Sequence, residues 1–202
     1  MIIRREKPED YSAVENLTRE AFWNVYRPGC TEHYVLHTLR EDPAFVKELD
    51  YLMEDQGKIV AHIAYALGDL KTGHGSEKIL LFGPVSVLPA EQGKGYGSAL
   101  IRFTLEKAEM LGYPAVCITG NPDYYHRFGF ESASKYGISY EGAGTDDEAP
   151  FFMVKFLKKE SIGEIRGVYS DPACYFPDTA QVERFDLAFP QKIKEKLPGQ
   201  LE

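Results

Sequence analysis

The residues best suited to chemistry stand at Gln92-Gly93-Lys94-Gly95-Tyr96-Gly97, at the head of a helical pattern. Alternating glycines let a backbone take positive φ and approach a ligand with no Cβ in the way. The amides that open the following helix lack intrahelical acceptors and lie at the positive end of its dipole. Such a loop suits a pyrophosphate. Spacing excludes two other phosphate loops. A P-loop needs Gly-Lys-[Ser/Thr], and Lys94 is followed by Gly95. The dinucleotide fingerprint Gly-x-Gly-x-x-Gly fails because Gly97 comes one residue early.

The loop must be carried by the stretch before it. Ile79-Leu80-Leu81-Phe82 is short and apolar, as expected of a strand covered on both faces. Pro84 has no amide hydrogen for a sheet ladder and Gly83 weakens a regular strand, so a bulge is expected there. A bulge would leave the backbone of Val85, Ser86 and Val87 to bond an extended ligand.

Gln92, Gly95 and Gly97 match the pattern [Gln/Arg]-x-x-Gly-x-[Gly/Ala]. Downstream, Gly120-Asn121-Pro122-Asp123-Tyr124-Tyr125-His126-Arg127-Phe128-Gly129-Phe130 matches a Tyr-x-x-x-Gly-Phe segment. In that order the two resemble the acyl-CoA signature of the GNAT superfamily of N-acyltransferases, in a variant frequent among bacterial members. The resemblance covers roughly residues 1–155. It implies an α/β (α+β) fold with a mixed, mostly antiparallel central sheet, flanked by helices and splayed at its central strand. It implies acetyl-CoA as cofactor and direct acetyl transfer to an amine of a small molecule or peptide, with no acyl-enzyme.

The resemblance also assigns roles. Backbone groups of Val85, Ser86 and Val87 would hold the pantetheine amides, and an amide near Val85 would meet the developing oxyanion. Gln92 and the amides of Gly93, Lys94, Gly95, Tyr96, Gly97 and Ser98 would hold the pyrophosphate. Asn121 would reach the pantetheine, with Phe128 packing beside the cofactor. Tyr125 occupies the general-acid position: a phenol of pKa about 10 stays protonated at neutral pH and can protonate a thiolate whose thiol has pKa about 8.5. Trp23, Tyr26 and His33 are candidates to line the acceptor pocket. Many relatives carry a glutamate base on the central strand, where this chain has Leu81, Phe82 and Gly83. The base is left unassigned, with His62 either a base or a satisfied core histidine. A non-catalytic acyl-CoA sensor is the alternative function, while an ATP enzyme is disfavoured by the missing P-loop.

Composition sets bounds. With 202 residues, 44% of them hydrophobic, the chain can bury one sizeable core. One domain over 1–157 is expected, with an extension over 158–202 that packs on it or on a second subunit of a homodimer. A net charge of −8 disfavours nucleic acid and mildly favours a cationic acceptor. No apolar run reaches the length of a membrane span, and the N-terminus lacks a signal-peptide core. Three cysteines without a Cys-x-x-Cys pattern point to reduced thiols, a cytoplasmic setting and no metal site.

The remaining elements follow from pattern. Met1–Arg5 reads as an edge strand, and Pro8 opens a helix to about Asn24 with Val14, Leu17, Ala21 and Phe22 inward. Thr31 can cap a second helix. Asp50–Glu54 and Lys58–Leu67 form a hairpin across Asp55-Gln56-Gly57, followed by a polar loop over Gly68–Glu77. A helix runs from Gly95 to about Leu111, with Tyr96, Ala99, Leu100, Phe103, Ala108 and Leu111 near one face and Gly112 ending it. Ala115–Thr119 is a short buried strand, and Asn121 and Pro122 start a short helix. Strands are expected near Gly137–Tyr140 and Pro150–Leu157, separated by a flexible acidic loop over Gly142–Glu148. The aromatic-rich extension is too apolar for disorder, with a helix near Pro190–Leu197.

Overall fold

The computed structural model describes residues 1–143 and 149–200, so most of the acidic loop over Gly142–Glu148 lies outside the described residues. In chain order the elements are β1 (Ile2–Arg5), α1 (Tyr11–Phe22), α2 (Glu32–Leu39), β2 (Tyr51–Asp55), β3 (Lys58–Thr72), β4 (Gly75–Val87) and α3 (Tyr96–Met110). They continue as β5 (Ala115–Thr119), α4 (Pro122–Tyr125), β6 (Glu131–Ser132), β7 (Ile138–Tyr140), β8 (Phe152–Phe156), β9 (Gly167–Ser170) and α5 (Thr179–Asp186). Two compact units divide the chain, and each is built from separated stretches.

The first unit comprises Met1–Ala64, Pro84–Leu100 and the segment from Ala173 onward. Its strands β1, β2 and β3 pair antiparallel, with Ile3 opposite Met53 and Leu52 opposite His62. Gln56 and Gly57 close the β2–β3 turn with φ of 49° and 77°, as a tight primed turn requires. The register shifts between Met53 and Glu54, which face Ala61 and Ile59, so Val60 is the extra residue of a bulge. Its carbonyl accepts a hydrogen bond from the Leu88 amide at 3.0 Å. Helix α1 buries Val14 and Leu17, as its spacing predicts, but also Thr18 and Arg19; Ala21 and Phe22 are half-buried.

The extension differs from expectation. Its helix is α5, capped by Asp178, whose Oδ1 accepts from the amides of Ala180 and Gln181. The Pro190–Leu197 stretch is not helical. Its backbone groups bond side chains of the α1–α2 loop instead: Ile193 O accepts from Trp23 Nε1 and Asn24 Nδ2, and Glu195 N donates to Asn24 Oδ1.

The second unit comprises Tyr65–Gly83 and Ile101–Pro172. The polar stretch Gly68–Glu77 is not a loop, because β3 runs to Thr72 and β4 begins at Gly75. Exposed Lys71, Ser76, Glu77 and Lys78 hide the strand pattern, while Lys78–Asp69 pairing at 2.8 Å and antiparallel β9 on β3 hold the hairpin. Gly68 is needed there, since a Cβ would lie 2.4 Å from the Tyr169 ring. The β4–β5 ladder is parallel and aligns Leu80 with Val116 and Leu81 with Cys117, whereas β8 pairs antiparallel with all five residues of β5. Strand β4 remains one strand across Gly83–Pro84, and the irregularity expected there is carried by Gly83 at φ 151°. Helix α3 buries Leu100, Ile101, Thr104, Leu105 and Ala108; Phe103 is half-buried and Leu111 is 52% exposed, so the buried face is rotated from the one predicted. The sheet is mixed and mostly antiparallel with flanking helices, as the sequence implied.

Candidate functional site

In the first unit, the end of β4 alternates its side chains. Val85 and Val87 share one face and are half-buried; Ser86 points the other way, is fully buried, and donates its hydroxyl to Thr18 Oγ1 at 3.0 Å. Ser86 therefore offers a ligand its backbone and not its side chain. Gln92 Nε2 donates to Val87 O at 3.2 Å, folding the glycine loop back on the strand end. Gly93 and Gly95 have φ of 78° and 89°, and a Cβ at either would meet nothing within 4 Å. What these glycines contribute is backbone conformation, and the space beside them is open. Lys94 pairs with Glu91 at 2.8 Å.

The Ala99 amide donates to Gly95 O at 3.0 Å, opening α3. Helix geometry leaves the first-turn amides of Tyr96, Gly97 and Ser98 without intrahelical acceptors. Tyr96 donates its hydroxyl to Asp55 Oδ2 at 2.8 Å. That bond holds the Asp55 carboxyl below its usual range and raises the Tyr96 phenol. Asp55 was not legible as a site residue, because in sequence it is one polar residue of a turn.

In the second unit, Asn121 caps α4 by accepting from the Asp123 amide at 3.0 Å, with Pro122 at the first helical position. Tyr125 is 9% exposed. Its ring lies over Gly120, where a Cβ would come within 2.4 Å of Tyr125 Cε2. Phe82 and Tyr124 meet that ring at centroid distances of 5.9 and 5.0 Å. Phe128 is buried, and Gly129 at φ 84° turns the chain after it. These contacts fix where the phenol stands.

His62 sits among Glu6, Asp50 and Arg40 in the first unit. Its Nε2 lies 2.7 Å from Asp50 Oδ1, and Arg40 holds both Glu6 oxygens at 3.0 and 2.7 Å. Burial pushes His62 down to about 4, Glu6 up to about 7 and Asp50 up to about 6. Ligand atoms of Glu6, Asp50 and His62 lie within 4.8 Å of one another, but the Arg40 guanidinium already supplies a positive charge to that group. His62 has no exposed surface, so the structure makes it a core histidine rather than a base for an incoming amine.

The three acceptor-pocket candidates are not brought together at an open surface. Trp23 donates to Ile193 O at 2.9 Å and stacks on Arg19, whose Nε lies 2.5 Å from Asp186 Oδ1. His33 is fully buried against Phe185 and Phe189 of the extension, and burial pushes it down to about 4. Tyr26 remains 45% exposed. The extension thus occupies Trp23 and His33, which sequence spacing had no means of revealing.

The Acetyltransferase (GNAT) domain profile matches residues 2–133. The chain belongs to the GNAT family of acetyltransferases. Among GNAT relatives, the uncharacterized N-acetyltransferase YhbS of Escherichia coli K12 is 28% identical over 170 residues, which is 83% of this chain and 94% of the relative. YjhQ of the same organism, another uncharacterized N-acetyltransferase, is 34% identical over 94 residues, 46% of this chain and 52% of YjhQ. The crystal structure of Escherichia coli YhbS in complex with CoA superposes with a TM-score of 0.75 at 25% identity, covering 87% of this chain and 92% of that one. A GNAT acetyltransferase from Brucella melitensis in complex with acetyl-CoA gives a TM-score of 0.67 at 27% identity, covering 86% and 97%. GNAT membership makes the chain an acyltransferase.

Proposed function

We propose that this GNAT protein transfers acetyl from acetyl-CoA directly to the amine of a small molecule or peptide. The observation that carries the reading is the pair Gly93 and Gly95 at positive φ, opening α3 with clear space beside them, in a GNAT domain. Relatives that hold CoA or acetyl-CoA support the choice of cofactor.

The roles follow from the chemistry. The backbone of Val85, Ser86 and Val87 holds the pantetheine amides, with Asn121 and Phe128 beside the cofactor. The amides of Gly93, Lys94, Gly95, Tyr96, Gly97 and Ser98 hold the pyrophosphate, and Gln92 braces their loop. The amine arrives neutral and attacks the thioester carbonyl; a backbone amide near Val85 receives the oxyanion. The C–S bond breaks, Tyr125 gives its proton to the departing thiolate, and the proton lost by the nitrogen as the amide forms returns through water to the Tyr125 phenolate. Residues 1–157 form the acetyltransferase domain and 158–202 its extension, which packs on that domain or on a second subunit of a homodimer. No helix among the described residues is long and apolar enough to cross a membrane. A cytoplasmic setting, with Cys30, Cys117 and Cys174 as reduced thiols, completes the proposal.

Release of CoA thiol from acetyl-CoA, measured against an amine panel, tests the reading. Tyr125→Phe keeps the ring and removes the acid, and turnover should fall by about 10²-fold or more. Because Leu81, Phe82 and Gly83 stand where many relatives have a glutamate, a non-catalytic sensor is the second reading. Tight acetyl-CoA binding with no turnover against any amine would favour it.

A further inference from the structure

One fully buried polar contact in the first unit has no part in the mechanism above. Ser86 of β4 donates its hydroxyl to Thr18 Oγ1 of α1 at 3.0 Å, and neither residue has any exposed surface. Val14 and Leu17, on the same face of α1, are apolar and as deeply buried. A valine would fill the place of Thr18 with the same shape and no polar atom to bury. Buried hydroxyls cost free energy unless they are paired, and threonine loses rotamer freedom in a helix. Packing alone gives no reason for a hydroxyl at position 18.

Location supplies one. Ser86 stands between Val85 and Val87, whose side chains take the opposite face of β4. Two other bonds hold this end of the strand: Leu88 N donates to Val60 O at 3.0 Å, and Gln92 Nε2 to Val87 O at 3.2 Å. Both meet the strand at its backbone. Rotation about the strand axis is resisted best by a side chain anchored off the sheet, and Ser86 is so anchored. Helix α1 is a firm support for it. The next residue, Arg19, is gripped by Asp186 at 2.5 Å and stacked on Trp23 at 4.2 Å.

We propose that Thr18 is a positioning residue for cofactor binding: through Ser86 it sets the direction in which the Val85–Val87 backbone presents its hydrogen-bonding groups to the pantetheine arm. This rests on the acetyl-CoA reading above and deepens it. Rotation of a strand swings its N–H and C=O groups together, and hydrogen bonds weaken steeply once they are misaligned. Thr18 is fully buried, so it acts on the cofactor only through the strand. The effect is confined to the pantetheine, because the pyrophosphate is assigned to a different set of amides, those of Gly93 to Ser98.

Isothermal titration of the full chain with acetyl-CoA and with adenosine 3′,5′-bisphosphate, the fragment that lacks pantetheine, tests this role. Wild type is compared with Thr18→Val, Thr18→Ser, Ser86→Ala and the double variant Thr18→Val with Ser86→Ala. Thr18→Val and Ser86→Ala should each weaken acetyl-CoA several-fold and leave the bisphosphate unchanged. Thr18→Ser keeps the hydroxyl and should bind acetyl-CoA as wild type does. The double variant separates position from stability. With both hydroxyls gone no polar atom is orphaned, so its denaturation midpoint should return close to that of wild type, while acetyl-CoA stays weak. Recovery of acetyl-CoA affinity along with the midpoint would mean that the hydroxyls serve packing alone, and it overturns the proposal. Equal weakening of both ligands, or unchanged acetyl-CoA affinity in Thr18→Val, also overturns it while leaving the acetyltransferase reading intact. Absence of acetyl-CoA binding by wild type overturns both.

Discussion

Tyr96 donates its phenolic hydrogen to Asp55 at 2.8 Å, tying the first residue of α3 to the β2–β3 turn. The two are 41 positions apart in sequence. The bond fixes the helix N-terminus whose amides are proposed to hold the pyrophosphate, so its effect on cofactor binding would come through position rather than contact.

Tyr96→Phe and Asp55→Asn should each weaken acetyl-CoA binding several-fold with little change in kcat, since the reacting atoms are untouched. The double variant should be no worse than either single one, because both remove the same bond. Calorimetric titration combined with steady-state kinetics checks this. Additive losses would show that the two residues act independently.

Gly120 beneath Tyr125 gives a second prediction. A Cβ at position 120 would lie 2.4 Å from Tyr125 Cε2, well inside contact distance. Gly120→Ala must move the ring or the backbone, at a cost of about 1–3 kcal/mol in stability. Displacement by a fraction of an ångström should lower kcat far more than it raises the KM for acetyl-CoA. Gly95→Ala should do the reverse. Its Cβ meets nothing, but its φ of 89° strains any other residue, so the loop and the KM should suffer first.

How much of this was legible in the sequence depended on how local each cause was. Ala115–Thr119, the Asn121 cap and the Gln56-Gly57 turn were readable because their determinants lie within a few residues. The tip of the β3–β4 hairpin was not, because Lys71, Ser76 and Lys78 are polar and the end of β3 is held by pairing to β9. Arg19 reads as a solvent-facing helix residue, and only Asp186, 167 positions away, explains why it is buried. The glycine loop and Tyr125 were legible as motifs. Their supports, Asp55 and Gly120, were legible only once neighbours in space were known.

The Arg19–Asp186 pair carries the third prediction. Arg19 is fully buried, stacked on Trp23 at 4.2 Å, and its charge is balanced by Asp186 at the end of α5. Removing one partner of a buried pair leaves the other charge uncompensated, which costs about 3–5 kcal/mol. Asp186→Ala should therefore lower the denaturation midpoint sharply and expose Trp23, read as a red shift in its fluorescence. The chain has a single tryptophan, so the signal is unambiguous. Replacing both partners with apolar residues of similar size, Arg19→Met with Asp186→Leu, should recover most of the loss.

The last prediction concerns pH and His62. Burial lowers this imidazole to about 4, from an ordinary value near 6.5. At pH 7 it is neutral in both folded and unfolded chains and contributes no proton linkage. As pH falls from 6.5 toward 4, the unfolded chain takes up a proton that the folded chain refuses, so the folded state loses stability by about 1.4 kcal/mol per unit. Glu6 and Asp50 work in the opposite sense. Raised to about 7 and about 6, they hold protons in the folded state that the unfolded chain has released, and their contribution is lost as pH rises through those values. His62→Gln removes the first effect and leaves the second. At pH 7 the variant should be less stable than wild type by about 1–3 kcal/mol, for the lost bond to Asp50. At pH 5 that deficit should shrink by about 2 kcal/mol. Urea unfolding at the two pH values measures it, and a deficit that stays constant between them would mean that His62 titrates normally in the folded chain.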